Sequence, residues 1–295
     1  MKIIDCHHHY WDPRVNPHPW LTDRPMIPFR YGDYSAICRP WLPEDHARAA
    51  AGWDLVASIT MEGEWSPADP LGEARWMARL AQEQGTPAAH VGQIWLDRDD
   101  CAEVLDGYAT LPLTRSVRHK PRSTPRPGMG PGGLADPAYL AGVAALARTP
   151  LMFDLQCPWW HLADLARLRE VAPDLPVIVN HTGLPADRSP DALAGWRAAL
   201  EQAAGMGTVY LKISGLGLPG RPWRLEDNRD IIRTAIDIFG PDRAMFGSNF
   251  PVDGLCGSFD TIFSGFDAAT RDYGAAERAA LFHGTVARVY GLAPV

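Results

Sequence analysis

Short apolar or β-branched runs recur along the whole chain, each followed by turn residues and then, in most cases, by a longer amphipathic stretch rich in alanine. Eight such runs stand out: Lys2 to Cys6, Val56 to Met61, His90 to Leu96, Thr114 to His119, Leu151 to Gln156, Val177 to Thr182, Val209 to Ser214 and Ala244 to Asn249. The apolar spacing between them predicts helices at Pro70 to Gln84, Pro137 to Ala147, His161 to Val171, Pro190 to Ala204 and Asn228 to Phe239. Ala275 to Tyr290 reads as a closing helix that covers the barrel wall. Strands alternating with helices along a chain are the pattern of a parallel sheet, here an α/β fold of the (β/α)8 barrel type in one domain over residues 1–295.

Two stretches break the alternation. Trp11 to Leu42 carries many prolines and aromatics, and Pro121 to Asp136 is rich in Pro and Gly. Both read as long loops, which in a barrel build the catalytic face.

Composition acts mainly by exclusion. With 46% hydrophobic and 21% charged residues the chain can bury a sizeable core and lacks the signature of disorder. A net charge of −7, from 28 basic against 35 acidic side chains, lacks the basic excess that phosphate-backbone binding needs. No apolar run approaches the roughly 18 residues of a membrane span, and the chain opens on strand-like Lys2-Ile3-Ile4 rather than a leader. The expectation is a cytoplasmic protein acting on a small molecule, without a nucleic-acid or membrane partner, and a homodimer as the default assembly. Cys6, Cys38, Cys101, Cys157 and Cys256 are scattered and form no C-x-x-C pair, so they read as reduced thiols.

Barrel chemistry sits where strands stop, and here those ends are strongly polar. The first run leads into Asp5-Cys6-His7-His8-His9, the second into Glu62-Gly63-Glu64-Trp65, the fourth ends in Arg118-His119-Lys120, and the sixth in Asn180-His181-Thr182. In an extended strand, residues two apart share a face, so His7 and His9 project together while His8 points away. Such a pair suits chelation of a metal, a grip on a carbonyl oxygen, or a purely structural role. His181 adds a third imidazole that can converge across the barrel mouth.

An ordered set of segments resembles the amidohydrolase superfamily, in the branch of sugar-acid lactonases and 2-pyrone-4,6-dicarboxylate lactonases. It comprises Ile4 to Asp12, Val117-Arg118-His119, Phe153-Asp154-Leu155, Val179 to Gly183, Leu211 to Leu216, Met245 to Ser248 and Gly284 to Gly291. The resemblance implies a distorted (β/α)8 TIM barrel with His7, His9 and His181 as the site histidines. It also implies an Asp at the end of strand 8 as general base and potential metal ligand, where this chain has Asn249. A neutral amide can hold a water or donate to a carbonyl, but it cannot take a proton near neutral pH. Strand 5 offers Gln156 rather than a lysine, so a binuclear centre is not expected. The resulting expectation is one divalent ion, zinc by preference, on His7, His9 and His181, or a site that operates without metal. Three neutral imidazoles on zinc lower the bound water's pKa to about 7, which makes the loss of Asp tolerable.

The expected reaction is hydrolysis of a lactone or similar cyclic ester. Asp253 and Glu64 are the candidate replacement bases, against the plainer readings of a helix cap and an ion pair. Arg118, His119, Trp65 and Gln156 are the expected substrate contacts, with Lys120 beside them. Arg118 has the alternative of a strand-end ion pair. Trp11, Trp20, Trp41, Trp65, Trp159 and Trp160 fall on the presumed catalytic-face loops and favour a ring-shaped substrate. A metal-dependent decarboxylase of aromatic or unsaturated acids and a non-catalytic ligand-binding barrel are the alternative readings.

Overall fold

The computed structural model describes residues 1–293. Its frame is one sheet of eight parallel strands in sequential order, rolled into a nearly closed barrel. The strands are β1 (Lys2–His8), β2 (Asp54–Met61), β3 (Ala89–Gln93), β4 (Thr114–Arg118), β5 (Met152–Leu155), β6 (Val177–Val179), β7 (Val209–Ile213) and β8 (Ala244–Phe246). Around them run α1 (Pro19–Thr22), α2 (Pro43–Ala49), α3 (Gly72–Gln84), α4 (Cys101–Tyr108), α5 (Pro137–Leu146), α6 (Leu165–Val171), α7 (Pro190–Ala204), α8 (Leu225–Phe239) and α9 (Phe259–Ala269). Several starts follow from capping: Asp136 accepts from Ala138 N at 2.9 Å, and Ser258 Oγ accepts from Thr261 N at 3.0 Å. Among the described residues no helix is long and apolar enough to cross a membrane.

All eight expected strands are present, and their ends carry the main differences. β6 stops at Val179 and β8 at Phe246, three residues short of the expected limits. The chain leaves the sheet there because His181 (φ 54°), Thr182 (φ 51°) and Asn249 (φ 56°) take left-handed backbone conformations that no strand accommodates. The expected helix from His161 begins as a 3-10 segment, Trp159–Asp164, and becomes α6 at Leu165. α1, α2, α4 and α9 were not expected, although Phe259, Ile262, Phe263 and Phe266 of α9 bury one face at helical spacing.

The closing segment also differs from its reading. It is interrupted as α10 (Ala275–Ala279), a π-helical turn (Ala280–Gly284) and α11 (Thr285–Val289). Rather than only covering the wall, it sends Val286 and Tyr290 into the inner apolar cluster with Ile4, Cys6, Ile59, Met61, Val91, Ile178 and Met245. The larger cluster fills the space between strands and surrounding helices.

Two devices seam the barrel mouth between β1 and β8. Asp5 accepts from Ser248 N at 2.8 Å, from Ser248 Oγ at 2.6 Å, and pairs with His46 Nε2 at 2.9 Å. Asn249 N donates to His7 O at 2.7 Å and His9 N to Phe250 O at 2.8 Å. Gly247 permits this approach, because a Cβ there would lie 2.7 Å from His7 Cβ and 2.9 Å from its backbone N.

Candidate active site

The register of β1 decides where its histidines point. Asp5 pairs with Ser58 but His8 pairs with Thr60, so β1 carries one residue more than β2 over that interval. Such a bulge re-aims side chains. Cys6 faces the barrel interior, and simple alternation would turn His7 outward; the extra residue brings His7 inward, its ring 4.3 Å from that of His181 and 5.6 Å from that of His9. His8 faces the other way and stacks on His46 at 4.0 Å.

Above this floor opens a cavity of about 220 Å³, with room for one small ring and its substituents. His9, His181 and Asn249 form its base, Trp11, Trp20, Ile27 and Phe29 its apolar wall, and Arg30, Glu62, Glu64, Arg118, Lys120 and Gln156 its polar wall. Trp20 stacks on Phe29 at 5.8 Å, so the β1 loop enters the site as an ordered aromatic face.

The imidazoles are neutral. Burial pushes His7, His9 and His181 well below the ordinary histidine range, and the charge of Arg118 acts in the same direction on all three. His9 Nδ1 sits 3.2 Å from Met61 O, and as its donor leaves Nε2 with a lone pair. His181 Nδ1 is 2.9 Å from Ser214 Oγ. Both ring nitrogens of buried His7 lack a hydrogen-bond partner.

Those orphaned nitrogens and uncharged rings are the donor chemistry of a zinc-type site, with outer hydrogen bonds of the kind that orient ligating histidines. Among the described residues, no group of three or more His, Cys, Asp or Glu is already gathered at metal-binding spacing. The three rings would draw together around an ion.

The polar wall is largely committed to itself. Arg118, 2% exposed, donates to Glu62 Oε1 at 2.6 Å, Glu62 O at 2.9 Å, Gln156 Oε1 at 2.9 Å and Asn180 Oδ1 at 3.4 Å. This is the geometry of the strand-end ion pair, not of a fork left open for a substrate carboxylate. Burial alone would raise Glu62, but the charges of Arg118 and Lys120 win and hold its carboxyl below the usual range. Glu64 (φ 61°) bonds Lys120 and lies on the cavity wall with its side chain 47% exposed.

Asp253 sits behind Asn249. It is 1% exposed and accepts from Asn249 Nδ2 at 2.6 Å and Tyr31 Oη at 2.8 Å. Burial pushes its carboxyl up, against Arg30 and these hydrogen bonds. It caps no helix. A carboxylate in place of the Asn249 amide would face Asp253 directly, and asparagine also tolerates the left-handed backbone at this position.

Other expected contacts lie outside the main cavity. His119 accepts from Leu96 N at 3.1 Å and stacks on Tyr139 at 4.9 Å, facing an adjoining cleft. Trp65 is buried against His18 and Trp76, Trp41 packs on Phe250, and Trp160 Nε1 donates to Thr124 Oγ1. Trp11 and Trp20 are the tryptophans that reach the cavity. Two residues of the polar wall were not singled out from sequence: Glu62, signalled by its position just past β2, and Arg30, hidden in a long loop together with Ile27 and Phe29 of the apolar wall.

Burial elsewhere in the barrel makes stability pH-dependent. It lowers His18 to about 4 and His90 to about 3. Between those values and about 6.5 the unfolded chain binds protons that the fold refuses, so stability is lost as pH falls through that window. We expect melting temperature to drop from pH 7 to pH 5, and the drop to shrink in His90→Gln; an unchanged drop in that variant would clear His90.

Comparison with known proteins adds an independent line. The family model described as Amidohydrolase matches residues 4–292. An uncharacterized protein of Sinorhizobium fredii is 36% identical over 98% of both chains. A Burkholderia multivorans protein named L-fucono-1,5-lactonase is 31% identical over 98% of this chain and 96% of its own. The crystal structure of a Burkholderia multivorans amidohydrolase with bound zinc superposes with a TM-score of 0.79 at 29% identity, covering 99% of this chain and all of that one.

Proposed function

The chain belongs to the amidohydrolase family, and from that premise we propose that it hydrolyses a lactone of a small sugar acid or related organic acid. One observation carries this reading: neutral His9 and His181 form the floor of a small cavity with aromatic walls on one side and polar groups on the other, and the neutral ring of His7 lies buried beside them, 4.3 Å from that of His181. The likeness to a lactonase-named protein over nearly the whole chain supports it.

In the reaction, water adds to the lactone carbonyl carbon, the ring C–O bond breaks, and the ring oxygen takes up a proton to give a hydroxy acid. Trp11, Trp20 and Phe29 pack against the ring and exclude water from its faces. Proton handling falls to Glu64, which is paired with Lys120 but 47% exposed on the cavity wall, whereas Glu62 is 2% exposed and held by Arg118, and Asp253 is screened from the cavity by Asn249. Asn249 presents its amide to the water or the carbonyl. His7, His9 and His181 are the residues that would hold a divalent ion, which when bound polarises the carbonyl and acidifies water.

A panel of aldono-1,5-lactones, 2-pyrone-4,6-dicarboxylate and hydroxylated aromatic acids tests the reading. Ring opening without gas release is expected; carbon dioxide from an aromatic acid, or tight binding with no turnover, would refute it. Glu64→Gln should lower kcat by about 10²-fold, as loss of a general base does. Dialysis against a chelator should reduce activity and zinc should restore it, with metal content followed by elemental analysis.

A further inference from the structure

We propose that Arg30, delivered by the long loop after β1, donates to the carbonyl oxygen of the lactone and then holds the carboxylate of the product, with Tyr31 and Asp253 as positioning residues for its guanidinium. The inference rests on the lactone-hydrolase reading for its first half; its second half concerns anion binding and can be measured without turnover.

The cavity holds three cations, and they differ in what they have left to give. Arg118 has all three side-chain nitrogens engaged by Glu62, Gln156 and Asn180. Lys120 is taken by Glu64, with Glu62 at 3.8 Å. Arg30 uses a single nitrogen, Nη2, which donates to Tyr31 Oη at 2.7 Å and lies 3.4 Å from Asp253 Oδ1. Its Nε and Nη1 have no protein partner among the described residues, and its side chain is 33% exposed on the cavity wall. A positively charged donor with two uncommitted nitrogens is the group on this wall equipped to meet developing negative charge.

Its position relative to the reacting centre is set by Gly215. A Cβ on that glycine, whose φ is +63°, would lie 2.4 Å from His181 Nδ1 and 2.9 Å from Arg30 Nη2. Guanidinium and imidazole therefore crowd the same point, and any side chain there would push them off it. The far end of Arg30 is pinned as well: Tyr31 Oη accepts from Arg30 and donates to Asp253 Oδ1 at 2.8 Å, and Asn249 Nδ2 donates to the same oxygen at 2.6 Å. Asp253 thus acts on the site through Arg30 and Asn249, which explains a buried carboxylate that does not line the cavity.

The chemistry balances without another reactant. As water adds, the carbonyl electron pair moves onto oxygen, facing Arg30. Collapse breaks the ring C–O bond, the departing oxygen takes the proton the water gave up, and the new carboxylic acid releases its own proton to solvent, which leaves its carboxylate on Arg30.

The test uses Arg30→Met, Arg30→Lys and Tyr31→Phe, with kcat and KM on a six-carbon aldono-1,5-lactone and calorimetric Kd for the corresponding aldonate. Arg30→Met should lose at least 100-fold in kcat with a smaller change in KM, and bind the aldonate at least 10-fold more weakly. Arg30→Lys, which keeps the charge without the fork, should fall between. Tyr31→Phe should shift both quantities the same way by less. Partial recovery of Arg30→Met kcat with millimolar guanidinium would support a direct contact, since a merely structural role is not rescued. Wild-type kcat and aldonate affinity in Arg30→Met would overturn the proposal. If the wild-type protein opens no lactone, the lactone-hydrolase reading fails by itself, and the Kd comparison still decides whether Arg30 is the anion contact.

Discussion

Replacing His181 with asparagine is expected to lower kcat for lactone opening by about 10²- to 10⁴-fold while leaving the fold intact. Asparagine is the informative substitution because residue 181 has φ 54°, and asparagine accepts a left-handed backbone better than alanine. It can also keep a hydrogen bond to Ser214, the present partner of His181 Nδ1 at 2.9 Å. What it removes is the imidazole beside His7, whose ring is 4.3 Å away. Steady-state kinetics alongside thermal melting make the check. Turnover near the wild-type value in a folded variant would place the chemistry elsewhere.

The largest stability effect is expected beneath the site. Lys212 and Asp154 form a 2.8 Å ion pair in which both side chains are fully buried. Asn180 Nδ2 and Tyr290 Oη also donate to Asp154, at 2.7 and 3.1 Å, so this network ties β5, β6, β7 and the closing segment together inside the barrel. Lys212→Met strands the carboxylate without its cation, and breaking a buried pair in this way costs about 3–5 kcal/mol. At roughly 2 °C per kcal/mol for a chain of this size, the melting temperature should fall on the order of 10 °C. Adding Asp154→Asn removes the stranded charge and keeps an acceptor for Asn180. The double variant should therefore recover a substantial part of the loss. A Lys212→Met protein as stable as wild type would mean that the pair contributes nothing net.

Much of this molecule was legible in the sequence because its information is periodic and local. All eight strands follow from short β-branched runs, which a buried parallel sheet requires, and α7 falls on Pro190–Ala204 as its apolar spacing and Pro predict. The pairing of His7 with His9 against His8 followed from the two-residue period of a strand. The parting of Trp11 and Trp20 from Trp41 and Trp65 did not follow, because exposure on a loop depends on how that loop folds back.

What only the tertiary structure decided lies where distant segments meet. The strand period says that His7 and His9 share a face but not which face is inward; the bulge opposite Ser58 and Thr60 settles that, and it exists only as a relation between two strands. His181, Asn249 and Glu64 leave their strands through positive φ, a choice imposed by packing and hydrogen bonding around the barrel mouth. Arg118 is paired with Glu62, 56 positions away, and Arg30 with Asp253, 223 positions away, so neither partnership has a local signal. Sequence determined the barrel and the residue types at its rim, because burial patterns are written residue by residue. Which of those residues face substrate and which are used up by each other was decided by three-dimensional proximity, since a charge is free or committed only according to what lies within hydrogen-bond reach.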